Sequence, residues 1–250
     1  MRRVVLLLAI AACLLAVALA WRAPATLVSA RLARLADQGI SLADAQGTIW
    51  RGQATLVAGE ARMPLAWRIH PLPLLRGEIV VTLYSLAPTG DRPTGEVHAT
   101  AAGMHVATLR VNVPAAAIAA ATLARPRLDA GGEVEIDVDG LDWPLQRSTR
   151  GTLAATWRGA RLGLAGSERI DLGDVTATLR AQSDGISGPL ANTGGAVAID
   201  GELLVQADGG GLVRGLVRPR RDQDPTLEWL RALGTPDGGG VRLEWRWPAP

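Results

Sequence analysis

Val175-Thr176-Ala177-Thr178-Leu179-Arg180 alternates apolar and polar side chains without a break. Successive side chains of a β-strand point to opposite faces, so a period of two describes a strand with one face in a core and the other in water. Toward the N-terminus the same alternation recurs. Val134, Ile136 and Val138 are interleaved with Glu133, Glu135, Asp137 and Asp139. Leu109, Val111 and Val113 share one face, as do Ile79, Val81 and Leu83. Toward the C-terminus, residues 197–206 and 212–217 read as strands. Val241, Leu243, Trp245 and Trp247 then alternate with Arg242, Glu244 and Arg246 in a final one. Helical signals are confined to three short stretches. Residues 24–38 have Pro24 in a first turn and Gly39 as a stop; 114–124 are alanine-rich and end at Pro126. Residues 225–233 have Asp224 as candidate N-cap, Pro225 at the first position and Gly234 as stop. About a dozen strands with so few helices exclude a doubly wound α/β fold, which needs a helix after most strands. The expected fold is mainly β: a strongly curved antiparallel sheet, as a half-open barrel or as two related halves, 40–126 and 127–250.

The connections carry their own signals. Gly47-Thr48-Ile49-Trp50-Arg51-Gly52 reads as a strand with a large aromatic, broken by glycines, and 63–69 as a further strand that includes Trp67. Pro71-Leu72-Pro73-Leu74-Leu75 interrupts the alternation and predicts a turn or a single helical turn. Residues 88–93 predict a loop, 96–102 and 105–113 a hairpin around Gly103-Met104, and Asp129–Gly132 a turn. Gly47-Thr48, Trp50-Arg51-Gly52 are echoed by Gly151-Thr152, Trp157-Arg158-Gly159, an echo too short to establish a duplication.

The chain has eight Trp, one Tyr and no Phe, so Leu, Val, Ile and Ala must build the core with tryptophans as its bulky anchors. Trp50, Trp67, Trp157 and Trp245 are expected in strands and in that core. All 26 basic residues are arginine. Setting aside Arg2 and Arg3 leaves 24 arginines against 24 acids, a neutral remainder with no bulk attraction for a phosphate backbone. Nucleic acid is therefore not an expected partner. Arg214, Arg218, Arg220 and Arg221 read as a solvated strand end.

Arg2 and Arg3 precede residues 4–20, seventeen positions without a charge, and Trp21 and Arg22 close the run. At ~1.5 Å per residue this is close to the shortest helix that spans a bilayer core. Ala18-Leu19-Ala20 fits a signal-peptide cleavage site; Trp21 fits an interfacial anchor of an uncleaved helix. Both readings put the following chain outside the cytoplasm, because the arginines hold the start inside. The only cysteine, Cys13, lies within this run, so the remainder has neither disulfide nor thiol nucleophile.

Catalytic patterns are weak. His70, His98 and His105 are the only histidines; His98 and His105 face each other across the predicted hairpin, without a third ligand at metal-site spacing. Ser167 lacks the second glycine of a nucleophile elbow. Asp137, Asp139 and Asp142 miss the register of a calcium loop, and alternation with Val134, Ile136 and Val138 explains these acids as a solvent face. Asp208-Gly209-Gly210-Gly211 is not followed by the residues of a phosphate loop. No enzyme activity, cofactor or metal is expected.

The order of apolar segment, short helix, Gly47-Thr48-x-Trp50-x-Gly52, then Trp67 followed by Pro71, Leu74 and Leu75, resembles protein N of the type II secretion system. Leu227 to Gly234 with Pro236-Asp237-Gly238 extends the resemblance to the C-terminal part. The element Pro71-Leu72-Pro73-Leu74-Leu75-Arg76-Gly77 departs from the family's in its additional proline. The resemblance implies an uncleaved inner-membrane anchor at residues 1–22, with 4–21 in the membrane, a linking helix at 23–39 and a periplasmic β-domain at 40–250. It also implies a non-enzymatic scaffold or bridge, partnering the inner-membrane platform and the secretin. The motif residues then have structural roles, and Trp245 and Trp247 form a candidate interface. The domain is similar to AsmA-type, bridge-like β-folds as well, which implies the alternative of a lipid-contacting module.

Overall fold

The structure, a computed structural model of the chain, describes residues 24, 26, 40–58, 61–85, 92–122, 128–143, 150–164, 169–208, 210–221 and 234–247. The expected anchor, the linking helix beyond Pro24 and Thr26, and the helix at 225–233 lie outside them. No helix among the described residues is long and apolar enough to cross a membrane.

The described residues form one antiparallel sheet of fourteen strands. The first six are β1 (Ile40–Gly47), β2 (Arg51–Ala58), β3 (Ala61–His70), β4 (Ile79–Ser85), β5 (Arg92–Thr100) and β6 (Gly103–Pro114). Helix α1 (Ala115–Thr122) follows, and then β7 (Leu128–Trp143), β8 (Thr152–Leu164), β9 (Ile170–Gln182), β10 (Gly185–Thr193), β11 (Val197–Gln206) and β12 (Gly211–Pro219). The last two strands are β13 (Thr235–Asp237) and β14 (Gly240–Trp247). Each of the first twelve pairs with its neighbours in sequence; only the final step departs, with β14 against β12 and β13 outside it. β1 and β13 form the two edges, so the sheet is not closed. The ladder is continuous through β6 and β7, the strands that flank residue 126.

The alternation of the sequence becomes rows of side chains running across the sheet. One row joins Leu109, Val138, Leu153 and Leu179, each opposite the next. A second joins Val111, Ile136, Ala155, Ala177 and Leu190. Leu179 and Ile186 are buried, and the cluster that holds them draws on β6 to β11. Strands sit ~4.8 Å apart, so a flat sheet would spread these rows too widely to pack together. The sheet instead curls: β9 approaches β11, β3 approaches β6, and α1 contacts β2 as well as β6 and β7. Ala115 and Ala119 of α1 pack on Ala130, Val134, Trp157 and Leu162, covering one end of the apolar face.

Two stretches differ from the sequence expectation. The Gly47–Gly52 stretch is not one strand. Residues 48–50 are the turn between β1 and β2, with the Thr48 amide donating to the Arg51 carbonyl at 2.9 Å. Trp50 is therefore in a turn and half-buried; the buried anchor is Trp67, whose Nε1 donates to the Ile49 carbonyl at 3.0 Å and pins that turn. Asp129–Gly132 is not a turn but lies within β7, where the register slips between Gly131 and Glu133. Gly132, at φ 98°, marks a bulge there, and Trp157 Nε1 donates to the Gly131 carbonyl at 2.8 Å beside it. Residues 152–164 form the single strand β8, with an irregularity at Trp157–Ala160.

Tryptophan and glycine meet across strands. Gly52 is opposite Trp67, and Gly211 is opposite Trp247. A Cβ on either glycine would collide with the six-membered part of the facing indole. Each ring thus lies flat on backbone that only glycine leaves open, so Gly52→Ala is expected to lower the thermal midpoint through overpacking, by ~1–3 kcal/mol. In a Trp67→Leu background the same change is expected to cost much less, and a double-mutant thermal-melt cycle checks the coupling.

Candidate functional site

Among the described residues the polar face carries several cross-strand ion pairs. Arg110 bonds Asp137, Arg158 bonds Glu135 at 2.6 Å, Arg169 bonds Asp129 at 2.6 Å and Arg214 bonds Glu202 at 2.6 Å. The acids between Val134, Ile136 and Val138 therefore line a solvent face, as the alternation predicts, and are engaged by neighbouring strands. The Asp208 turn serves the backbone: its Oδ1 accepts from the Gly210 amide at 2.9 Å. Arg220 similarly donates to the carbonyls of Gly194 and Val197 at 3.1 and 3.0 Å, clasping the β10–β11 turn.

All three histidines fall on one transverse row. His70 is opposite Val80, Val80 opposite His98, His98 opposite His105 and His105 opposite Asp142. The rings of His98 and His105 meet edge to face, 6.1 Å between centroids. His105 Nδ1 reaches Asp142 at 2.7 Å, and His70 Nε2 reaches the Thr82 hydroxyl at 2.9 Å. His98 is held on both sides, with Nδ1 2.6 Å from Glu78 Oε1 and Nε2 2.8 Å from Glu96 Oε1. A neutral imidazole has only one N–H, so two carboxylate acceptors favour the charged ring. The hydrogen bond to Glu78, then that to Glu96, raises the His98 pKa above its ordinary value. Both ring nitrogens face carboxylates, which favours the protonated ring. Among the described residues no group of three or more His, Cys, Asp or Glu is placed to hold a metal.

Two shallow hollows lie on the same polar face of the C-terminal strands. The larger, about 710 Å³, is open and lies over Gly188 and Gly201 between Arg180 and Glu202. Its neighbour, about 350 Å³, lies between Arg214, Arg242 and Glu244. Their charged walls are engaged in part: Arg214 with Glu202, Arg242 with Asp237, and Arg246 with Glu244. Neither hollow sets a nucleophile beside a base.

The residues of the sequence motif scatter over the sheet. Gly47, Thr48, Trp50 and Gly52 build the β1–β2 turn, and Trp67 packs against it. Pro71 leads into a 3-10 turn, Pro73–Arg76, in which Leu74 is half-buried and Leu75 exposed. Gly234, Pro236 and Gly238 belong to the clasp of β13 on β14, with Pro236 opposite Val241. Trp245 and Trp247 are half-buried on β14, opposite Val213 and Gly211. These positions lie on the β1–β2 turn, on β3 and its connection to β4, and at the β13–β14 end of the sheet.

The comparison with known families concerns that sheet as a whole. The family model described as type II secretion system, protein N, matches residues 38–244, from just before β1 nearly to the end of β14. The chain belongs to the type II secretion system protein N family. Membership implies a role in type II secretion, in a family that is generally non-enzymatic. No curated protein and no solved structure matches the chain.

In the sequence, the Glu78–His98–Glu96 bridge was only half legible. Glu96 and His98 share a face by strand alternation, but Glu78 joins them only through the β4–β5 pairing. Because the folded-state pKa of His98 is raised, its contribution to stability is full below the ordinary value near 6.5 and is lost as pH climbs through the raised value. Glu78 and Glu96 are the charged partners it meets, and His105 faces it from β6. The thermal midpoint of the native chain, relative to His98→Gln, is expected to fall as the pH rises above the ordinary imidazole value near 6.5 and through the raised one. Paired melts across that range check it.

Proposed function

We propose that this family member is an accessory inner-membrane component of the type II machinery. It acts as a non-enzymatic periplasmic scaffold or bridge that supports export of folded proteins across the outer membrane. Residues 4–21 hold it in the membrane as a single pass, and the inner-membrane platform and the secretin are its partners. The observation that carries the reading is the family match over 38–244, which coincides with one continuous open sheet rather than with a pocket. A scaffold works through surfaces and edges, and those are what this sheet offers. The β13 ladder on β14 stops at Arg242, so a partner strand would join β14 from Leu243 onward by β-augmentation.

A second reading has its own observation. The apolar face has no second layer over it among the described residues beyond α1, and Leu109, Val111, Leu203 and Val205 stay half-exposed on it. Such a face suits acyl chains, the property of a lipid-contacting module.

A clean deletion in the native organism separates the two. Folded type II cargo is expected to accumulate in the periplasm while the outer membrane still excludes a large antibiotic. Normal secretion combined with a leaky outer membrane would overturn the scaffold in favour of the lipid module.

A further inference from the structure

We propose that the end of the sheet bearing the β1–β2 turn rests on the bilayer surface through a wedge of Leu72, Leu75 and Arg76. This inference depends on the membrane attachment proposed above. Among the described residues the large hydrophobic side chains that stand exposed are Leu72, Leu75, Ile79 and Met104. All four come from one end of the sheet: Leu72 and Leu75 on the β3–β4 connection, Ile79 at the start of β4 and Met104 near the start of β6; Ile79 and Met104 are both opposite Ala99. Leu72 is 76% and Leu75 86% exposed, the values of side chains that touch almost nothing of their own protein.

The same end holds Pro24, which follows the N-terminal apolar run by four positions in sequence. Pro24 pairs with Thr48 in an antiparallel bridge at the β1–β2 turn. The Ile69 amide donates to the Trp50 carbonyl at 2.7 Å, joining that turn to the end of β3 just before Pro71. Ala20, the last residue of the apolar run, precedes Pro24 by four positions, at most ~14 Å of extended chain. Any bilayer that holds residues 4–20 is thus tethered close to Leu72 and Leu75.

Shape and charge favour lipid over a protein groove as the occupant. The 3-10 turn Pro73–Arg76 is closed by Gly77 in the left-handed conformation, with its amide donating to the Leu74 carbonyl. It makes a stiff, convex projection, which a fluid interface admits without a preformed pocket. Arg51 and Arg76 are exposed at this end, whereas the nearby acids are engaged, Glu78 by His98 and Asp142 by His105. That balance suits anionic headgroups, with leucines entering ~5–10 Å into the boundary layer. The sheet would then stand with its strands rising away from the membrane, since β3 runs from Arg62 at the far end to His70 at this one.

The test uses the full chain with Cys13→Ser and one new cysteine, reconstituted into vesicles of phosphatidylethanolamine and phosphatidylglycerol. An environment-sensitive fluorophore is attached at Leu75→Cys, Met104→Cys or Arg62→Cys. Flotation with the vesicles is scored first; a chain that stays behind overturns both the membrane attachment and this inference. With flotation secured, labels at 75 and 104 are expected to shift to the blue and to be quenched by a headgroup-level lipid quencher. The label at 62 should remain in water. Leu72→Asn with Leu75→Asn is expected to leave flotation unchanged and to reduce quenching at 104 severalfold. A floating chain with water-exposed labels at 75 and 104, or with equal quenching at 62, overturns the wedge while membrane attachment stands.

Discussion

A sheet with one apolar face and no second sheet to cover it must bury that face by bending. Every other feature of this protein follows from that constraint. The rows through Leu153, Leu179 and Ala177 come together only because the strands curl, and α1 adds its small alanines where the trough would otherwise open. Where large side chains must lie flat, the opposite strand provides glycine, as Gly52 does for Trp67 and Gly211 for Trp247. The core therefore has no Phe and little redundancy. Its bulk comes from Trp67, Trp157 and the aliphatic rows, and two indole N–H groups spend themselves on backbone carbonyls that fix a turn and a bulge.

The polar face answers with cross-strand ion pairs rather than with a site. Most of these pairs are solvent-exposed, where each is worth a fraction of a kcal/mol, so they select register more than they add stability. Arg110–Asp137 and Arg158–Glu135 would be broken by a one-residue slip, which would also turn Val138 out to water.

How much of this was legible in the chain depended on range. Alternation such as Val175 to Leu179 is local and declares its strand outright, and Pro114 followed by alanines declares α1. Glycine is ambiguous at the same range. In Gly47–Gly52 it ended a strand and began another, so Trp50 was misplaced in a strand. At Gly132 it made a bulge that reads like a turn, because both demand the same backbone conformation. The histidine row was beyond reach in a different way. His98 facing His105 follows from one hairpin, but aligning His70 and Asp142 with them requires the registers of three further strand pairs. The exposure of Leu75 was equally hidden, since Leu74 and Leu75 are chemically identical and only the 3-10 geometry sends one inward and the other out.

The order of the strands has a bearing on how such a protein is made. Because β1 to β12 pair successively, each new hairpin can dock on those already formed, and contacts remain local along most of the chain. A polypeptide that emerges from its N-terminal side can build this sheet vectorially, one strand at a time, behind a continually advancing edge. That edge is adhesive, for an unpaired strand invites any other strand. The single inversion in the topology closes it. β13 is synthesised before β14 yet lies outside it, and the two are joined as a hairpin about Gly238-Gly239, so Pro236 seats against Val241 through local pairing while β14 docks on β12. The three-residue strand with its proline then shields part of the edge that β14 would otherwise leave open.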